Sequence, residues 1–171
     1  MTALECYSDA AFADNADRRS SDGFLFMLFG GPIDWKASRQ LTVTTSSTEA
    51  ELLALSQAAK QAIQWQRIFR DLDFYSKSPI LCDNQQTIRL LAKDSPQLST
   101  RLRHVDIHNH WLRQEVQDGR IAIKWTSTAS MSCRHSGQAV KDTAYPGGVC
   151  WKTRYPMVPY YPMRMLRRHG C

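Results

Sequence analysis

The chain has no run approaching the ~18 apolar residues of a membrane-spanning helix. Its start, MTALECYSDAAFAD, lacks a basic region followed by an apolar stretch. A secretory or membrane route is therefore not expected, and an intracellular location, cytoplasm or nucleus, is. Patterned cysteines are missing too. Cys6, Cys82, Cys133, Cys150 and Cys171 are odd in number, with no Cys-x-x-Cys and no ladder of spacings. That argues against a disulfide framework or a structural zinc site and for a reduced chain. Residues 1–131 also lack a surplus of either charge, with 15 Lys and Arg against 15 Asp and Glu. The net charge of +6 arises wholly in residues 132–171, where 7 basic residues face 1 acidic one. Overall basicity is therefore no argument about the main part of the chain.

What is present suits one domain with a real core: 171 residues, 43% hydrophobic and 22% charged. ALECYSDAAFA reads as a strand over about residues 3–9 that delivers Asp9 near its end. FLFMLFGGPIDW gives an apolar strand, a turn at Gly30-Gly31-Pro32 and a short second strand, and QLTVTTSS reads as a β-branched third strand. Successive strands with short turns favour an antiparallel meander. Ser47 or Thr48 can cap a helix whose apolar positions Leu52, Leu55, Ala59, Ala62, Ile63 and Ile68 carry it to about Arg70. SPILCDN is a short strand ending at Asp83, and QQTIRLLAK a short helix stopped before Pro96. A further helix from about Leu102 buries Val105, His108, Trp111, Leu112 and Val116 and stops at Asp118-Gly119; RIAIKWTST alternates as a final strand. The order β β β α β α α β predicts an α/β mixed sheet with packed helices.

From about residue 132 the pattern ends. Pro146, Pro156, Pro159 and Pro162 are scattered among aromatics with neither helical nor strand period. The expected organisation is a domain over residues 1–131 and an atypical, basic, Pro/Tyr-rich tail over residues 132–171 that is poorly ordered.

Asp9 and Asp83 close strands, and Glu51 lies in the first turns of the long helix. A sheet and the helix packed on it can bring such positions into one cleft, where three carboxylates repel and call for a cation. Oxygen ligands without Cys or His suit magnesium or manganese, whose chemistry is displacement at phosphorus. Spacing alone leaves Asp9 and Asp83 equally readable as turn formers or caps.

YSDAAFA, DRRSSDGFLFMLFGGPIDWKASRQLTVTTSSTEAELLALSQAAK, ILCDNQQTIRLL and RLRHVDIHNHWLRQEV resemble successive motifs of the ribonuclease H domain of copia-type retrotransposon polyproteins. The likeness runs over residues 5–131 in the family's order. It implies a five-stranded mixed sheet with packed helices and cleavage of the RNA strand of an RNA–DNA hybrid. It also implies Mg2+ or Mn2+ as cofactor and, in an intact polyprotein, a linked reverse transcriptase. It places the first catalytic and metal-binding carboxylate on Asp9 and the third, in the CDN motif, on Asp83. The second falls in STEAELLAL on Glu51, with Glu49 the rival, two residues away and so on another face of the helix. Arg18, Arg19, Lys36 and Arg39 flank the hairpin and could meet phosphates, or form a solvated edge. His104, His108 and His110 belong to the family's helix and lack cysteine partners, so zinc is not expected there.

The resemblance breaks after IKWTSTASM. There the family continues with a motif like P-A-D-x-L-x-K, whose Asp is a fourth carboxylate at the start of the last helix, and this chain has SCRHSGQ. If Ser132 to Gln138 are encoded TCC TGC AGA CAT TCT GGA CAA and followed by G, reading one base later yields Pro-Ala-Asp-Ile-Leu-Asp-Lys. A shifted frame thus explains the change of character. Loss of the fourth carboxylate and of the last helix predicts weak or absent cleavage, because in the intact family one ion activates water and a second stabilises the leaving oxygen. Asp142 could substitute for the absent ligand, although nothing in QAVKDTAY places it at a helix start. The alternative function is a non-catalytic nucleic-acid-binding remnant.

Overall fold

A computed structural model describes residues 4–74, 78–92 and 103–128. The expected tail over residues 132–171 and the expected loss of a last helix lie outside the described residues. The elements follow the order β1 (Leu4–Ala11), β2 (Ser21–Leu28), β3 (Gly31–Arg39), α1 (Ser47–Asp71), β4 (Ile80–Cys82), α2 (Gln85–Leu91), α3 (Arg103–Gln117) and β5 (Ile123–Trp125). One five-stranded sheet has the order β3-β2-β1-β4-β5. The first three strands pair antiparallel, whereas β4 joins β1 in parallel and β5 joins β4 in parallel. None of the described helices is long and apolar enough to cross a membrane.

Alternation along the strands divides the core between two faces. Leu4 and Cys6 of β1, Phe24 and Phe26 of β2, and Ile80 and Cys82 of β4 join Leu52, Leu55, Ala58, Ala59 and Ala62 of α1 in the main cluster. The small Ala side chains bring α1 close to the sheet. Val105 and Leu112, one face of α3 at helical spacing, complete this cluster. Tyr7, Leu25 and Met27, the residues between, form a second cluster with Leu81.

Four local expectations need correction. The β2–β3 turn is Phe29-Gly30, both with positive φ (50° and 84°), rather than Gly30-Gly31-Pro32. Such a two-residue turn matches the strands' twist and uses Gly30 where a side chain is disfavoured. Pro32 lies within β3, an edge strand, opposite Met27 and beside an irregularity in register, where a missing N–H is tolerated. QLTVTTSS forms no strand: Glu49 Oε2 accepts from the backbone N–H of Thr45 at 2.7 Å, and the Gln40 side chain turns its Nε2 to the carbonyl of Ala50 in α1 at 2.9 Å. The helix cap is accordingly Ser46, whose hydroxyl accepts from the N–H of Glu49 at 3.2 Å, rather than Ser47 or Thr48. The last strand is shorter than RIAIKWTST, only Ile123–Trp125.

Candidate metal and active site

The parallel pairing of β1 with β4 sets Tyr7 opposite Leu81. Two residues farther along each strand direction come Asp9 and Asp83, so both carboxylates belong to the same end of the sheet. β4 stops at Cys82 because Asn84 turns its side chain onto the N–H of Thr87 at 3.0 Å and caps α2. Asp83 is thereby left at a bend between strand and helix. The Ser46 cap starts α1 so that Glu51, in its second turn, points inward and is only 6% exposed.

The electrostatics of these groups are coupled. Burial above all, then the charges of Asp9 and Asp83, raise the Glu51 carboxyl from 4.5 to about 9, against a lowering hydrogen bond from the backbone N–H of Ala10. Glu51 and Asp83 each present an oxygen, and Cys82 its Sγ, all within 4.8 Å of one another. Glu51 Oε2 is buried without a hydrogen-bond partner. Asp83 is held from the far side: its Oδ2 accepts from Thr128 Oγ1 at 2.7 Å, and its carbonyl from Trp125 Nε1 at 3.0 Å.

A divalent ion of the hard class fits this donor set. An orphaned carboxylate oxygen among like charges is the arrangement that a cation relieves: Glu51 of α1 and Asp83 after β4 bring oxygens within 4.8 Å of one another, and Asp9 of β1 adds its charge. Cys82 is a different matter. Burial first, then the Glu51 charge, push its thiol up to about 12, so it stands beside the oxygens as a neutral group and not as a thiolate ligand.

Sequence comparison finds relatives of the chain. The chain is 36% identical over 127 residues to the retrovirus-related Pol polyprotein from transposon TNT 1-94 of Nicotiana tabacum, an alignment covering 73% of this chain and 9% of the relative. Its homologues are thus retrovirus-related Pol polyproteins of transposons. The chain spans about a tenth of the length of these relatives, and no protein-family model matches it. Among solved structures it resembles LC11-RNase H1 in complex with RNA/DNA hybrid, with a TM-score of 0.52 at 12% identity over 74% of this chain and 86% of that one. It also resembles the foamy viral protease-reverse transcriptase in complex with RNA/DNA hybrid, with a TM-score of 0.54 at 12% identity over 82% of this chain and 19% of that one. The fold of this chain is that of ribonuclease H.

Of the two glutamates weighed for this site, Glu49 is occupied elsewhere. Its Oε2 accepts from both the N–H and the hydroxyl of Thr45, at 2.7 and 2.8 Å. It closes the start of α1 in the manner of a capping box, whereas Glu51 faces Asp9 and Asp83. Glu49→Ala is therefore expected to cost about 1–3 kcal/mol of stability in urea unfolding. Manganese affinity should stay unchanged, and a large loss of ion binding would return Glu49 to the site.

Three neighbours were missed in the sequence reading. The inward direction of Cys82 follows from strand alternation with Ile80, a signal available in ILCDN. The contacts of Trp125 and Thr128 with Asp83 are long-range and carry no local signal. The histidines form no metal group among the described residues: His108 Nδ1 shares a hydrogen bond with Ser56 Oγ at 2.8 Å, and His110 is exposed. The hairpin cations are partly engaged, since Arg19 and Arg39 both pair with Asp17 and Lys36 reaches Gln57. Arg18 is exposed at a positive φ of 61°.

Proposed function

We propose that Asp9, Glu51 and Asp83 hold a magnesium or manganese ion, in a copia-type domain built to hydrolyse the RNA strand of RNA–DNA hybrids. The observation that carries this reading is the buried Glu51 carboxylate, with an unpartnered oxygen, facing two other carboxylates at one end of the sheet. A bound divalent ion would neutralise these charges and act as a Lewis acid toward a phosphate oxygen. The chain's own residues orient that site. The Ala10 N–H fixes one end of the Glu51 carboxylate, and Thr128 and Trp125 set the direction of Asp83. The burial of Glu51 and Cys82 keeps bulk water from the inner wall.

Turnover in this chain is weak or absent on the same proposal, because the family's fourth carboxylate has no counterpart in SCRHSGQ. We keep the domain boundary near residue 131, where the family pattern stops, and place the protein inside the cell, in cytoplasm or nucleus. The reading as a non-catalytic nucleic-acid binder has less support, since Arg19, Arg39 and Lys36 are already engaged within the protein.

The test is manganese binding by calorimetry, followed by incubation with a labelled RNA–DNA hybrid in magnesium or manganese. Wild-type protein is expected to bind manganese and to cleave slowly or not at all. Asp9→Asn should weaken ion binding by about tenfold or more. Ion affinity indifferent to Asp9 would remove the proposed site, and rapid cleavage abolished by Asp9→Asn would overturn the claim of crippled turnover.

A further inference from the structure

Away from the three carboxylates, β2, the segment after β3, α1 and α3 enclose a recess of about 270 Å3. Asp22, Gln40, Thr42, Gln57 and His108 supply its polar lining, and Leu41 and Leu53 its apolar part. Asp22 is 1% exposed, yet among the described residues its carboxylate is met by neutral donors: Ser38 Oγ at 2.7 Å and Gln57 Nε2 at 2.6 Å. Among the described residues no basic side chain forms an ion pair with it. Lys36 approaches only the other end of the Gln57 amide, at 2.7 Å from Oε1, one group removed from the anion.

Gln40 lines the same recess and is 4% exposed. Its Nε2 is committed to the carbonyl of Ala50, which fixes the direction of the amide, and its Oε1 is buried without a partner. A buried anion lacking a cation and a buried acceptor lacking a donor thus share one cavity. Each alone is unfavourable, and a single donor-rich cation would relieve both.

We propose that this recess binds a primary ammonium group carried on a short alkyl chain. An ammonium offers three donors and a full charge to Asp22 and Gln40, while its methylenes lie against Leu41 and Leu53. The recess is many times the ~30 Å3 that a water molecule occupies in the liquid, so a bare monovalent ion would leave most of it unfilled. A guanidinium brings five donors to a wall with fewer acceptors to receive them. An anion would face Asp22. The ammonium can come from a free diamine or from a lysine side chain of another protein segment. The proposal rests on none of the residues assigned to the metal.

The experiment titrates the full chain with putrescine and, separately, with Nα-acetyl-lysine methylamide, followed by calorimetry at low salt. At least one probe is expected to bind. Putrescine alone binding identifies a free diamine as the source, and the lysine amide binding identifies a protein side chain. Asp22→Asn should lower the affinity about tenfold or more. Leu41→Lys offers a second test that leaves Asp22 intact, because Leu41 is 87% exposed and lines the recess. Its tethered ammonium should abolish binding of the probes and raise the melting temperature, whereas Leu41→Gln should not raise it. Failure of both probes to bind wild type overturns the proposal, as does equal affinity in a folded Asp22→Asn protein. Undiminished binding in Leu41→Lys would overturn it as well, whether or not Asp22→Asn folds.

Discussion

Glu51→Gln is expected to make the metal-free protein more stable at pH 8, although it removes a residue assigned to the site. The folded protein holds the Glu51 carboxyl at about 9, against an ordinary value of 4.5. Between those two values the folded state keeps a proton that the unfolded state has released. Rising pH therefore favours unfolding, by about 1.4 kcal/mol per pH unit for this one group. The contribution of the protonated carboxyl is complete below pH 4.5 and is lost progressively as pH climbs to about 9. Glutamine keeps the shape without the charge, so the variant should lose this slope and gain several kcal/mol over wild type near pH 8. Urea unfolding at pH 5, 6.5 and 8 in chelator measures both curves. A wild-type stability that stays flat or rises with pH, after subtraction of the variant's curve, would show that the burial and repulsion at Glu51 are not felt in solution.

Manganese should reverse the order. An ion that binds the folded site stabilises it by mass action, and does so more strongly as Glu51 becomes ionised. Wild type is then the more stable protein at pH 8 in excess manganese. The variant, with an amide in place of the buried carboxylate, gains little. Such a crossing would tie the instability of the empty carboxylate group to its capacity for the ion, as expected of strain placed where function needs it.

The parts of the sequence that announced themselves were those with a local physical signal. The α1 stripe at Leu52, Leu55, Ala59 and Ala62, the alternation of ILC before Asp83, and the sheet of mixed strands were readable because burial imposes a period on the chain. QLTVTTSS misled because its β-branched residues favour a strand, whereas Thr45 is bonded to Glu49 at the start of α1 and Gln40 to the carbonyl of Ala50. Propensity lost there to side-chain capture of the backbone. The choice between Glu49 and Glu51 could not be made from spacing, since it depends on which face of α1 meets the ends of β1 and β4. Likewise Thr128 and Trp125 reach Asp83 only through the pairing of β5 with β4, which brings residues more than 40 positions apart together.

Replacing Ser132–Gln138 by Pro-Ala-Asp-Ile-Leu-Asp-Lys, and continuing in the reading frame that gives this peptide, is expected to create hybrid cleavage where the parent has little. Geometry at the end of the described chain favours the attempt. Thr128 is hydrogen-bonded to Asp83, and the new Asp would stand at position 134, six residues farther along. Six extended residues span roughly 20 Å, ample to bring that carboxylate back to the metal site. In the present chain the same position is Arg134, so the change replaces a cation by an anion. Restoring one properly placed charge-stabilising group is worth about 10²-fold or more in rate. The gain should depend on manganese or magnesium and vanish with Asp9→Asn. Sequencing the gene supplies the independent arm: codons for Ser132 to Gln138 that cannot yield the family's peptide one base later would exclude a shifted frame. A restored chain that folds, binds manganese and cleaves no faster than its parent would move the cause of inactivity from position 134 to the remainder of the site.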